Sequence, residues 1–201
     1  MNSGRVAKSK KDIGLPPRVF AIVGACFLIA GLAMMFTLRP HNAGESLVGG
    51  PFQLASADGK TVTDADFRGK PFLVYFGYTH CPDICPTTLA QISDVLAKLP
   101  ERPIKALFVT LDPERDTPKL MADYVSSFDP RIVGLSGTPD QIAAIEKSYR
   151  VYARKVPTKD GDYTMDHSSI VYLMDGQGRF IEAFNMDRTA DDSAKELAKY
   201  F

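Results

Sequence analysis

PFLVYFGYTHCPDICPTTLAQISDVLAKL, residues 71–99, changes character twice. Residues 71–78 are a continuous apolar run, the pattern of a strand buried on both faces of a sheet. From Thr87 to Leu99 the apolar residues recur at intervals of three and four, as in an amphipathic helix. Between the two lie Cys81 and Cys85, each followed directly by proline, with His80 ahead of the first. A residue before proline is pushed out of the helical region, and proline is favoured at the first helical position. The spacing therefore predicts that both cysteines belong to an extended strand-to-helix loop and that Pro86 opens the helix. Within a regular helix, cysteines four apart would hold their Cβ atoms about 5–6 Å apart, whereas a disulfide wants about 3.5–4.5 Å. In a loop the sulfurs are free to converge, on each other or on one ion. The neighbouring helix N-terminus is expected to favour the thiolate and lower its pKa. Ligands of open α/β sheets gather at this end of the strands.

Outward from this segment, strand and helix signals alternate. PFQLAS, IKALFVTL and RIVGLSG read as strands, and TPKLMADYVSSF and TPDQIAAIEKSYR open as helices on a threonine cap followed by proline. VYARKVPTKDGDYTMDHS contains a Lys-Asp-Gly-Asp turn and predicts a projecting hairpin. SIVYLMD and FIEAFN flank a GQGR turn and form a second hairpin. TADDSAKELAKYF is a terminal helix, capped by Thr189 and acidic in its first turn. This order predicts an α/β domain with a central mixed sheet flanked by helices.

The 201-residue chain has zero formal net charge, which excludes a basic nucleic-acid binder, but the charge is unevenly spread. Residues 1–18 carry five basic side chains against Asp12. Val19 to Leu38 follow without a single charge. Twenty residues at about 1.5 Å rise span about 30 Å, a bilayer core. A cleavable signal peptide has a shorter apolar stretch. The basic flank keeps the N-terminus cytoplasmic, so residues 19–38 are expected to be a single transmembrane helix. The expected organisation is a cytoplasmic segment 1–18, the span 19–38, a polar, glycine-rich tether 39–50 and a domain 51–201 facing the periplasm from the inner membrane. Cys26 falls inside the span and reads as a packing cysteine, although VGAC faintly resembles a lipoprotein box. That leaves Cys81 and Cys85 as the two exported thiols, in a compartment that permits a disulfide without requiring one.

Two thiolates are an incomplete ligand set for most metals. His41 lies in the tether and reads as solvated. His80 adjoins Cys81, but neighbours in extended backbone point opposite ways. His167, in YTMDHSSIVYLMD, stands directly ahead of a buried strand, as a third ligand or as a histidine capping the core. If it converges, two thiolates and one imidazole suit copper or zinc and poorly suit magnesium, calcium or manganese. Structural zinc wants four ligands, which gives copper a modest advantage. Met165 offers a soft sulfur two residues away, but reads first as packing.

FGYTHCPDICPTTL, VTLDPERDTP and MDHSSIVYLMDGQG together resemble the signatures of the SCO/SenC family, over about residues 48–201. The resemblance implies a thioredoxin-like fold and one copper ion, Cu(I) or Cu(II), bound by Cys81, Cys85 and His167. It implies a metallochaperone that helps to assemble the binuclear copper centre of cytochrome c oxidase subunit II, served by another periplasmic copper chaperone or a thioredoxin-like reductant. Asp83 and Asp112 match family positions associated with metal-loop or partner contacts, beside plain readings as a turn former and a helix-start acid. The alternative is a membrane-tethered thiol–disulfide oxidoreductase acting on the cysteines of the oxidase or another protein, with Cys81 and Cys85 as its redox pair. Against a general oxidoreductase, the usual redox spacing is C-x-x-C, and the extra residue alters the strain of the bridge. A peroxiredoxin would carry threonine three residues before its reactive cysteine, where Tyr78 and Pro82 stand. A purely structural disulfide closing so short a loop would stabilise little.

Overall fold

The structure, a computed structural model, describes residues 47–201. The expected cytoplasmic segment, transmembrane span and most of the tether lie outside the described residues, as do Cys26 and His41. Among the described residues no helix is long and apolar enough to cross a membrane. The last four residues assigned to the tether are already docked on the domain. The Leu47 carbonyl accepts from Arg150 Nε at 2.5 Å, and the Gly49 N–H donates to the Ser148 carbonyl at 2.9 Å.

A five-stranded mixed sheet forms the centre. β3 (Phe72–Gly77), β4 (Lys105–Thr110) and β5 (Ile132–Leu135) are parallel, β8 (Val171–Met174) runs antiparallel to β3, and β9 (Phe180–Ala183) antiparallel to β8, in the order β5-β4-β3-β8-β9. β3 is the middle strand and every one of its residues is buried, as its unbroken apolar run requires. One face of the sheet is covered by α1 (Ile84–Ala97), α2 (Pro118–Val125) and α4 (Ala190–Leu197). Leu89, Ile92 and Leu96 of α1 are fully buried there, each worth about 1.5–3 kcal/mol of apolar transfer. The other face packs on α3 (Pro139–Tyr149) and on β1 (Gln53–Ala55), which pairs with β2 (Thr61–Thr63). Thr117, Thr138 and Thr189 cap their helices through the side-chain oxygen, the first two with proline next, as the sequence predicts.

The projecting hairpin is β6 (Ala153–Pro157) with β7 (Tyr163–His167), and it forms a two-stranded sheet of its own. Helices on both faces of a mixed sheet, with the thiol segment between β3 and α1, make this the expected thioredoxin-like α/β fold.

Candidate metal centre

Three parts of the fold deliver three donor atoms. After β3 the chain turns through Tyr78, Thr79 and His80, and the Cys81 N–H donates to the Tyr78 carbonyl at 3.3 Å. Asp116 pins this turn from the loop after β4. Its carboxylate accepts from the Thr79 N–H at 3.0 Å, the Thr79 hydroxyl at 2.5 Å and the Thr110 hydroxyl at 2.7 Å. Asp116 is completely buried, which is tolerable because its acceptor positions are filled.

Cys85 is not in the loop, as its proline had suggested. Helix α1 starts at Ile84 with Asp83 as its N-cap, so Cys85 is the second helical residue and Pro86 the third. The missing N–H of proline has no helical partner to lose anywhere in the first turn, so Pro86 is tolerated there and Cys85 turns with the helix. Cys85 is thereby driven under the helix against the sheet and is fully buried, while Cys81 remains partly exposed. The Cys85 N–H donates to Cys81 Sγ at 3.3 Å, a helix-terminal N–H aimed at the first sulfur. The two thiols are not joined.

Room for the Cys85 sulfur comes from Gly77. A Cβ at that position would lie 2.7 Å from Cys85 Sγ and 2.7 Å from the Phe108 ring. Tyr75, on the same face of β3, has a buried hydroxyl with no hydrogen-bond partner. Burial pushes the Cys85 thiol up to about 12, with the Cys81 sulfur adding to it. The expected lowering by the helix N-terminus therefore fails for Cys85. A helix end contributes at most about 2 kcal/mol, and the loss of solvation of an enclosed thiolate exceeds it. The phenols of Tyr75 and Tyr124 are raised as well, first by burial and then by the cysteines.

His167 closes β7, opposite Ala153 in the hairpin register. Its Nδ1 lies 3.0 Å from the Ser168 carbonyl, which can only accept, so Nδ1 carries the proton. In the neutral ring Nε2 then has the lone pair, and it faces Cys85 Sγ at 3.9 Å. A backbone carbonyl fixing the tautomer in this way is the usual support of a metal-binding histidine. The Tyr78 ring meets the imidazole edge-on at 5.8 Å, and its hydroxyl lies 2.7 Å from Thr164 Oγ1. The donor atoms of Cys81, Cys85 and His167 all lie within 4.8 Å of one another, and among the described residues no fourth histidine, cysteine or carboxylate joins them.

The other candidates stand apart from this trio. His80 is exposed, with Nδ1 3.1 Å from the Thr79 hydroxyl. Met165 is buried in the core on the α3 side of the sheet. Asp83 is exposed between the cysteines and makes no capping bond through its side chain. Asp112 is completely buried and accepts from the Tyr163 hydroxyl at 2.9 Å and from Arg115 Nε. Gly77, Tyr78 and Asp116 were not singled out from the sequence. Only Gly77 left a signal, because glycine inside an apolar strand often marks a close approach.

The family model described as SCO1/SenC matches residues 40–201. The chain is 39% identical over 166 residues to "Protein SCO1 homolog 1, mitochondrial" of Arabidopsis thaliana, covering 79% of this chain and 50% of that protein. It thus spans about half the length of that relative. The structure of Bradyrhizobium japonicum ScoI with copper bound superposes with a TM-score of 0.73 at 56% identity, covering 77% of this chain and 99% of the other. Copper-bound yeast Sco1 gives a TM-score of 0.70 at 36% identity, covering 76% and 87%. The three signatures around the thiols, the buried Asp112 and His167 thus sit in a domain matched over most of its length, and the chain belongs to the SCO1/SenC family.

Proposed function

We propose that this protein takes up one copper ion on Cys81, Cys85 and His167 and passes it to cytochrome c oxidase subunit II, where the binuclear copper centre is assembled. The convergence of two sulfurs and one imidazole nitrogen within 4.8 Å carries this reading. Soft thiolates with one imidazole suit copper, and three donors satisfy Cu(I) where structural zinc would want a fourth. The copper-bound relatives of similar fold support the same metal.

The side chains fit a site that loads and unloads. Cys85 holds its proton in the metal-free protein and must release it as the ion arrives, which couples uptake to pH. Cys81 is partly exposed, and Ile84, three residues on, is 54% exposed, so one sulfur and one apolar side chain of this segment are open to a partner. In this reading residues 19–38 anchor the chain in the cytoplasmic membrane with the domain in the periplasm, and another periplasmic chaperone supplies the copper.

A second reading rests on the contact of the Cys85 N–H with Cys81 Sγ, which keeps the two sulfurs adjacent. The reduced pair would transfer two electrons to a disulfide of the oxidase, becoming a disulfide while the target regains two thiols. Cys81, the more accessible sulfur, would attack. The buried, protonated Cys85 is a poor nucleophile and weakens this reading.

The two are separated by mixing the full chain, purified in detergent, with the copper domain of subunit II. Two equivalents of loaded protein, one carrying Cu(I) and one Cu(II), given to a reduced, metal-free target are expected to generate the spectrum of the binuclear centre. If instead only the metal-free, reduced chain acts, by reducing an oxidised target, the second reading replaces the first.

A further inference from the structure

The hairpin that carries His167 shares no strand ladder with the central sheet, and a two-stranded sheet alone is marginal in water. Its position must come from side chains. At the start of β7, Tyr163 is gripped from the loop after β4. Its hydroxyl donates to Asp112 Oδ1 at 2.9 Å, its carbonyl accepts from Arg115 Nη1 at 3.1 Å, and the guanidinium stacks 3.8 Å from the ring centroid. Arg115 Nε donates to the other oxygen of Asp112, so one arginine ties a fully buried carboxylate to the hairpin backbone. Lys155 of β6 lies 4.6 Å from the same ring and pairs with Glu114 at 2.5 Å.

Tyr163, Met165 and His167 alternate along β7 and so share its inner face. Met165 is buried in the core, and its N–H donates to the Tyr78 hydroxyl at 3.3 Å. The strand is thus fixed at one end by the Asp112–Arg115–Tyr163 contacts and in the middle by Tyr78. His167 at the other end is placed by an arm of four residue steps, about 13 Å long.

We propose that Arg115 and Tyr163, acting with Asp112, form a latch that positions His167 for the metal without touching it. The proposal rests on the three-donor site read above and deepens it. Removing the latch lets the hairpin pivot, so that the imidazole withdraws while the thiols stay in place.

The test compares the full chain with Arg115→Ala, Arg115→Lys, Tyr163→Phe and His167→Ala. Amide hydrogen exchange on the metal-free proteins reads the latch directly. Faster exchange at Thr164, Met165 and Asp166 in Arg115→Ala, with Leu107 and Phe108 unchanged, is the expected result. Tyr163→Phe keeps the stacking and loses only the hydroxyl, so it guards against an arginine variant that fails to fold.

Cu(I) competition with a chelator and Cu(II) electron paramagnetic resonance then read the site. Arg115→Ala is expected to weaken binding about tenfold, the lower end of what outer contacts of metal ligands contribute. Its copper spectrum should move toward that of His167→Ala, with Arg115→Lys recovering only part of the shift. Wild-type exchange rates, or a wild-type copper spectrum despite lowered thermal stability, would overturn the latch. Wild-type protein that binds no copper would overturn the metal reading, while the exchange data would still decide whether the hairpin is held by Arg115.

Discussion

The two sulfurs and the imidazole are held in opposite ways. Cys81 and Cys85 sit at the end of β3, the middle strand of the sheet, where the backbone, the first turn of α1 and a buried aspartate fix the path of the chain. His167 sits at the end of a hairpin outside that sheet, tied down by side chains from two other loops. The thiol pair is therefore built onto the central strand and its helix, with Cys85 in the core, and the nitrogen is brought to it. A site divided in this way can keep its grip on copper through the sulfurs while the third donor moves aside for an incoming ligand.

The largest effect should come from the built-in half. Cys85→Ser removes the central sulfur, and Cu(I) binding to the full chain should fall by several orders of magnitude in chelator competition. Retention of near-wild-type affinity would mean that the two halves had been ranked wrongly. His167→Ala should cost less than this but more than the about tenfold expected of Arg115→Ala, which acts only through it, and should leave the protein's thermal stability nearly unchanged. A loss as severe as that of Cys85→Ser would erase the distinction between core donor and delivered donor.

Gly77→Ala sharpens the comparison from the side of packing. The added methyl would lie 2.7 Å from both Cys85 Sγ and the Phe108 ring. Overpacking of this kind costs about 1–3 kcal/mol, which urea denaturation would report, and the displaced sulfur should weaken copper binding with it. An equal substitution at Gly161, where nothing lies within 4 Å but φ is +86°, should strain the hairpin turn and spare the thiols.

These residues also show where the sequence was legible. The unbroken apolar run of β3, the Thr-Pro helix starts and the turn between β8 and β9 are local signals, written within a few neighbours, and the fold follows them. The three donors that the structure brings together were legible as a set only with the family signatures beside them, because nothing local at His167 separates a metal ligand from a core histidine. Cys85 was misplaced because the restriction before proline is local, whereas the start of α1 is set by how Leu89 and Ile92 meet the sheet. Its thiol was expected to be acidic because the helix end is visible in sequence and burial is not. Arg115 and Tyr163 are 48 residues apart, and no pattern along the chain joins them.

A separate effect, confined to alkaline solution, is one of pH. The folded Cys85 thiol is raised from 9.0 to about 12, so the metal-free protein binds a proton there more tightly than the unfolded chain does. That contribution to stability is fully present below pH 9 and is lost as pH climbs through the interval toward 12. Denaturation midpoints should therefore fall above pH 9 in the metal-free protein, and Cys85→Ser should flatten that decline. An identical decline in the variant would show that Cys85 is not the group responsible.

The central claim is that one copper ion is shared by two built-in sulfurs and one delivered nitrogen. X-ray absorption at the copper edge of the Cu(I)-loaded full chain tests it most directly. Two sulfur scatterers and one nitrogen scatterer, with the nitrogen lost in His167→Ala and both sulfurs kept, is the result this account predicts. A site of sulfur alone, or one unchanged by His167→Ala, would contradict it.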